Sequence, residues 1–279
     1  MRSRTRAALR IATWVVATFA TLVLVGVTAA SAGWGTLAGY VVLDALLLVV
    51  SFACWRWLDR LPPGETPLAP DRKSARGFLR GAAAGASLVA VVALILAAAG
   101  AFELARKSCS VEPLFRFLAG TGAFVALAAL FEELVFRGYG LFALRDLAGR
   151  WVAVPVTGFL FAAGHQANPG FGPLAIVNLG LVGIVLAAWV LVERDVWVAV
   201  GAHAGWNATI VIGAAIPVSG VAIPAPCHAG ILSGPEWLTG GAFGVEAGLP
   251  TALAWLGFGV WLLRRCGGES ARGGSAPTV

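Results

Sequence analysis

Charge is scarce in this chain. Asp, Glu, Lys and Arg make up 12% of its 279 residues, about half the ~25% of an ordinary soluble domain. With 59% hydrophobic residues and a mean hydropathy of +0.85, that shortage excludes a disordered chain and a coiled coil. Four cysteines in this length are too few for a disulfide-scaffolded miniprotein. Only three histidines are present, and none belongs to a His-Glu-x-x-His helix. No period of 20 to 50 residues repeats, which excludes an array architecture. What the chain does have is a series of long apolar runs and 36 glycines, the small residues that let membrane helices approach closely.

A bilayer core takes ~20 apolar residues per helix. The runs place spans near 11–30, 34–55, 78–101, 117–145, 151–166, 172–192, 196–216 and 248–263. The expected fold is therefore all-α, a polytopic membrane protein of about eight transmembrane helices. Its three divisions are 1–116 (tail and first three spans), 117–216 (a core bearing the polar motifs) and 217–279 (outer loop, last span and tail). Pro62 to Pro70 reads as a turn-rich linker.

The net charge of +6 does not point to nucleic acid, because Lys and Arg fall in short patches between apolar runs. With eight spans, 17 of the 20 basic residues share one side, from Arg2, Arg4, Arg6 and Arg10 at one terminus to Arg264, Arg265 and Arg272 at the other. Arg106, Lys107 and Arg116 occupy the opposite side. This asymmetry predicts a multi-pass protein of the inner (plasma) membrane with both termini cytoplasmic. Ala30-Ser31-Ala32 looks like the end of a secretory signal, yet the preceding apolar run of ~20 residues exceeds a signal core, so an uncleaved first span is expected. Cys109 and Cys227 fall in predicted outer loops, where a disulfide is permitted, with two free thiols the simpler reading. Cys54 and Cys266 fall near the inner face.

An ionisable side chain inside a span costs ~2.5–3.5 kcal/mol, so each needs a partner or a purpose. Asp44 in the second span reads as structural. In Phe131-Glu132-Glu133-Leu134-Val135-Phe136-Arg137, Glu133 and Arg137 are four apart on one helix face and can pair. Glu132, rotated ~100° from Glu133, has no local cation and is available for proton transfer; a purely structural ion-pair cluster is the alternative. Phe161-Ala162-Ala163-Gly164-His165 and His203-Ala204-Gly205-Trp206-Asn207 each repeat the same four-residue spacing. If the fourth and fifth spans turn near Arg150, Glu132 and His165 lie roughly 27 and 22 Å along their helices from that turn. His203 and Asn207 lie roughly 12 and 18 Å beyond Asp195. All four are expected to meet in one cavity facing the cytoplasm. His228, beside Cys227, falls on the outer side, in a loop from 217 to 247 that has no Lys or Arg and is expected to fold over the outer mouth.

Paired glutamates followed after three residues by Arg137, then Phe161 with His165, then His203 with Asn207, in this order on separate spans, resemble the CPBP family of intramembrane endopeptidases, named for CAAX prenyl proteases and bacteriocin processing and also called Abi. The resemblance covers roughly residues 117–212 and includes Phe136-Arg137-Gly138. It implies peptide-bond hydrolysis, with Glu132 activating water, His165 assisting, and His203 and Asn207 donating to the oxyanion. Glu133, Arg137 and Phe161 would support them. No cofactor is favoured; a zinc ion on Glu132, His165 and His203 is the competing arrangement. Membrane lipids and a membrane-associated protein or peptide substrate are the expected partners, and the Ala, Gly and Arg usage looks bacterial. The alternatives are a proton-coupled transporter and a noncatalytic immunity-type membrane protein.

Overall fold

The computed structural model describes residues 2–272, with side chains over 4–265; Arg2, Cys266 and Arg272, counted above, have side chains outside the described residues. The architecture is mostly helical. The long helices are α1 (Arg2–Ala32), α2 (Thr36–Ala53), α3 (Arg72–Ala98) and α4 (Val111–Arg137). They are followed by α5 (Tyr139–Ala148), α6 (Arg150–Gly164), α7 (Pro173–Glu193), α8 (Trp197–Ala208), the one-turn α9 (Glu236–Thr239) and α10 (Leu249–Arg272). Wider π turns extend α2 over Cys54–Leu58 and α8 over Thr209–Ala214. Among the described residues, five stretches are long and apolar enough to cross a membrane: Arg4–Ala32, Thr36–Leu58, Arg72–Ala98, Val111–Ala148 and Pro173–Glu193.

Two local expectations are corrected. The span expected at 117–145 is not one straight rod: at Gly138 the backbone leaves the helical region (φ −68°, ψ −146°), ending α4 and starting α5. The turn to α6 then comes at Gly149, whose φ of 82° suits glycine. The helical architecture also carries one short strand pair. β1 (Phe102–Arg106) and β2 (His228–Leu232) form an antiparallel pair, with Phe102 opposite Leu232 and Arg106 opposite His228. Beside them Cys109 and Cys227 form a disulfide across 118 residues, so the free-thiol reading gives way.

α3 and α8 pack along one another because both carry glycine every fourth residue. A methyl group added at Gly81 or Gly85 would overlap the carbonyl oxygens of Val198 or Ala202, and one at Gly201 would overlap that of Phe78. Backbones this close gain dispersion contacts that longer side chains would prevent. Asp71 starts α3 by accepting from the Ser74 amide at 2.8 Å, an interaction that lowers its pKa.

The basic patches gather at one end. Arg10 pairs with Asp59 at 2.7 Å and Asp146 at 3.1 Å, tying the start of α1 to the ends of α2 and α5. Lys73 donates to the Glu193 carbonyl at 2.7 Å, and Arg80 pairs with the Glu193 side chain at 3.1 Å. The β pair and the disulfide follow the opposite ends of α3 and α8. Glu246, between α9 and α10, turns inward: it accepts from the Trp206 indole at 3.0 Å and the Ser219 hydroxyl at 2.8 Å.

Candidate active site

α4 brings two adjacent carboxylates to the place where α6 ends and α8 passes. Glu133 and Arg137, one turn apart, are both fully buried and joined at 2.9 Å. The same Glu133 Oε1 accepts from Nδ1 of His203 at 2.9 Å. Glu133 therefore neutralises Arg137 and aims the His203 ring; its direct contacts are to these two residues rather than to Glu132. The Arg137 guanidinium also lies 4.2 Å from the centre of the Phe161 ring, a cation–π contact away from water. Gly183 on α7 makes room for it, since a methyl there would meet Nη2 at 3.1 Å.

His165 caps α6 and is 8% exposed. Its Nδ1 lies 2.9 Å from the Phe161 carbonyl oxygen. That oxygen can only accept, so Nδ1 carries a proton, and in the neutral ring Nε2 presents a lone pair. The Phe161 ring stands 4.8 Å from His165 and 5.8 Å from His203, a wedge between the two imidazoles and Arg137. Thus Phe161 organises the site through both its ring and its carbonyl.

Glu132 points between the histidines. Its Oε2 is 3.6 Å from Nε2 of His165 and 3.8 Å from Nε2 of His203, with 22% of the side chain exposed. Both gaps exceed a direct hydrogen bond, and Oε2 is buried without a partner. With Glu132 ionised and both imidazoles neutral, all three atoms are acceptors converging on one point. Such a cluster calls for a donor, and one water at about 2.8 Å can reach Oε2 and the His165 nitrogen together. Asn207 lies one turn beyond His203, and its Oδ1 is also buried without a hydrogen-bond partner; no hydrogen bond or ion pair among the described residues ties it to the other three.

Two tetrahedral zinc ligands at about 2.0–2.1 Å from the metal stand roughly 3.3 Å apart, closer than the 3.6 and 3.8 Å found here. Among the described residues no group of three His, Cys, Asp or Glu side chains is gathered tightly enough to hold a metal ion.

The cytoplasm-facing cavity expected around these residues has no counterpart in the larger cavities described. Two, of about 430 and 470 Å³, open at the basic end, and neither is lined by Glu132, His165, His203 or Asn207. A crevice of about 20 Å³ runs beside His203, between Phe161, Trp206, Glu246 and Trp255. The 217–247 segment closes over this region: Phe243, fully buried, clusters with Phe161 and Leu179, and Asn168 donates to the Ser219 carbonyl at 2.9 Å.

Glu246 and the α3 glycines were missed as supports of the site. The four-residue glycine period was the available signal for the second; for Glu246 a lone carboxylate in a loop gave none. His228 lies outside the cluster, 2.9 Å from the Ile212 carbonyl. Asp44 is 2% exposed with both oxygens unpartnered.

No curated protein and no solved structure gave a match. Residues 113–209 match the family model described as Rce1-like, type II CAAX prenyl endopeptidase Rce1-like. This stretch, about a third of the chain, holds Glu132, His165, His203 and Asn207 together with Glu133, Arg137 and Phe161, and its similarity to that model supports the resemblance to the CPBP intramembrane endopeptidases.

Proposed function

We propose that this protein is a multi-pass endopeptidase that cleaves a membrane-associated protein or peptide with a water activated by Glu132. One observation carries the reading: the partnerless Glu132 Oε2 between two imidazole Nε2 atoms at 3.6 and 3.8 Å. Water donates one hydrogen bond to Glu132 and another to His165. Its oxygen attacks the peptide carbonyl carbon while its proton passes to the carboxylate. The C–N bond then breaks as the nitrogen receives that proton through Glu132 or His165, leaving a carboxylate and an amine.

His203 and Asn207 serve the oxyanion. The Nδ1 contact to Glu133 restricts how His203 does so. As a neutral ring it presents a lone pair at Nε2, so it donates there only as an imidazolium, which the Glu133 carboxylate stabilises. The Asn207 amide donates in either state. The reaction is written without a metal; zinc-reversible inhibition by chelators in protein that retains stoichiometric zinc would replace this scheme.

About eight spans, an inner-membrane location, cytoplasmic termini and a catalytic division at 117–216 belong to the same proposal. The test compares membranes carrying wild type, Glu132→Ala and His165→Ala by proteomics of processed membrane peptides. Both variants are expected to insert normally and lose at least about 100-fold in cleavage. Changed solute uptake with unchanged peptides would favour a transporter, and no change in either would leave a scaffold.

A further inference from the structure

A bay of about 470 Å³ at the basic end lies between the start of α1, the ends of α2 and α5, and the turn after α7. Four guanidinium groups line it, those of Arg6, Arg10, Arg145 and Arg194, against two carboxylates, Asp59 and Asp146. The carboxylates are already engaged. Asp59 and Asp146 both hold Arg10, and Asp146 also holds Arg145. Burial nonetheless raises the Asp59 pKa in spite of Arg10.

Arg6 and Arg194 carry the excess charge. Arg6 donates to the Leu58 carbonyl oxygen at 2.8 Å, a neutral acceptor that leaves its charge uncompensated. Arg194 ends α7 in a left-handed conformation (φ 49°), an unusual state for a residue other than glycine. It makes no described ion pair. The bay thus holds two positive charges in excess, beside the aromatic rings of Trp55 and Phe142.

We propose that this bay binds the phosphate of an anionic phospholipid headgroup, with Arg6 and Arg194 as its principal contacts. Guanidinium groups match phosphate oxygens in geometry and charge. The bay lies among helix ends rather than in the middle of the bundle, where a headgroup sits while its acyl chains lie along α1. That helix presents exposed Leu9, Val16 and Phe19 to the surroundings. The basic face of a membrane protein meets the leaflet in which anionic lipids confer a negative surface potential. The site is independent of the peptidase chemistry, since among the described residues no hydrogen bond, ion pair or ring contact joins its lining to Glu132 or to His165 and His203.

The purified full chain is titrated with phosphatidylglycerol, phosphatidylcholine and inorganic phosphate, and bound lipid is counted by native mass spectrometry. Wild type is expected to retain phosphatidylglycerol over phosphatidylcholine. Arg6→Gln and Arg194→Gln are each expected to weaken retention about fivefold, and the double variant about 25-fold, at about 1 kcal/mol per basic residue. Peptide processing, if present, should persist in all three. Equal retention of both lipids, or phosphatidylglycerol binding unchanged in the double variant, would overturn the site. Displacement of the lipid by submillimolar inorganic phosphate would reassign it to the free anion.

Discussion

Glu133 illustrates why the two adjacent carboxylates are not interchangeable. It is fully buried and its Oε1 holds both Arg137 and His203 at 2.9 Å. Glu133→Gln leaves Arg137 buried without its counter-ion. The expected cost is about 3–5 kcal/mol, read as a lowered thermal midpoint in detergent micelles. Glu132→Gln should leave that midpoint near the wild-type value while abolishing cleavage, because Glu132 Oε2 accepts no hydrogen bond and stands 3.6 and 3.8 Å from the imidazoles. A variant pair with the opposite pattern would reverse the two roles. Asp195 makes a separate prediction. It is 1% exposed, its Oδ1 accepts from the Trp197 amide at 2.9 Å, and burial raises its pKa. Between the ordinary carboxylate pKa and that raised value, the folded protein keeps a proton the unfolded chain has lost, so stability falls as pH rises through this window. Asp195→Asn keeps the acceptor without the charge. It is expected to raise stability on the order of 1 kcal/mol above the window and to change little below it, measured by thermal unfolding across pH.

Helices show how much of this site was legible and where legibility ended. Glu133 with Arg137, Phe161 with His165 and His203 with Asn207 could be placed because a helix fixes which residues share a face. The meeting of Glu132 with His165 was also anticipated, though from a turn at Arg150 and an unbroken fourth span. The chain instead breaks at Gly138 and turns at Gly149. Apolar residues continue on both sides of Gly138, so hydropathy carries no mark of the break. The β pair was invisible for another reason: five residues per strand, 130 residues apart in register between Phe102 and Leu232, leave no local periodic signal. The α3–α8 glycines offer a direct test. Gly81→Ala and Gly201→Ala place a methyl against neighbouring backbone, whereas Gly26 has nothing within 4 Å of its added methyl. The first two are expected to lose about 1–3 kcal/mol and to impair cleavage by moving His203; Gly26→Ala should match wild type in both.

On the scale of the whole molecule, the Arg10–Asp59–Asp146 network and the Glu193 pairs mark one end, and the β pair with its disulfide marks the other. Charge asymmetry predicts that the first end faces the cytoplasm. Alkaline phosphatase fused after residue 107 should be active, and after residue 68 inactive; the reverse result would invert the orientation. Part of the chain outside 113–209 acts directly on the matched segment. α3 sets the position of α8, and Glu246 holds Trp206, which lies between His203 and Asn207 in sequence. A family segment of 97 residues therefore depends on flanking chain to place one of its two histidines.

The covalent link from Cys109 to Cys227 encloses the entire matched stretch. Topologically, that stretch is a closed ring with two tails. One backbone scission anywhere from 110 to 226 opens the ring without dividing the molecule, and both pieces still travel together on a denaturing gel until a reductant is added.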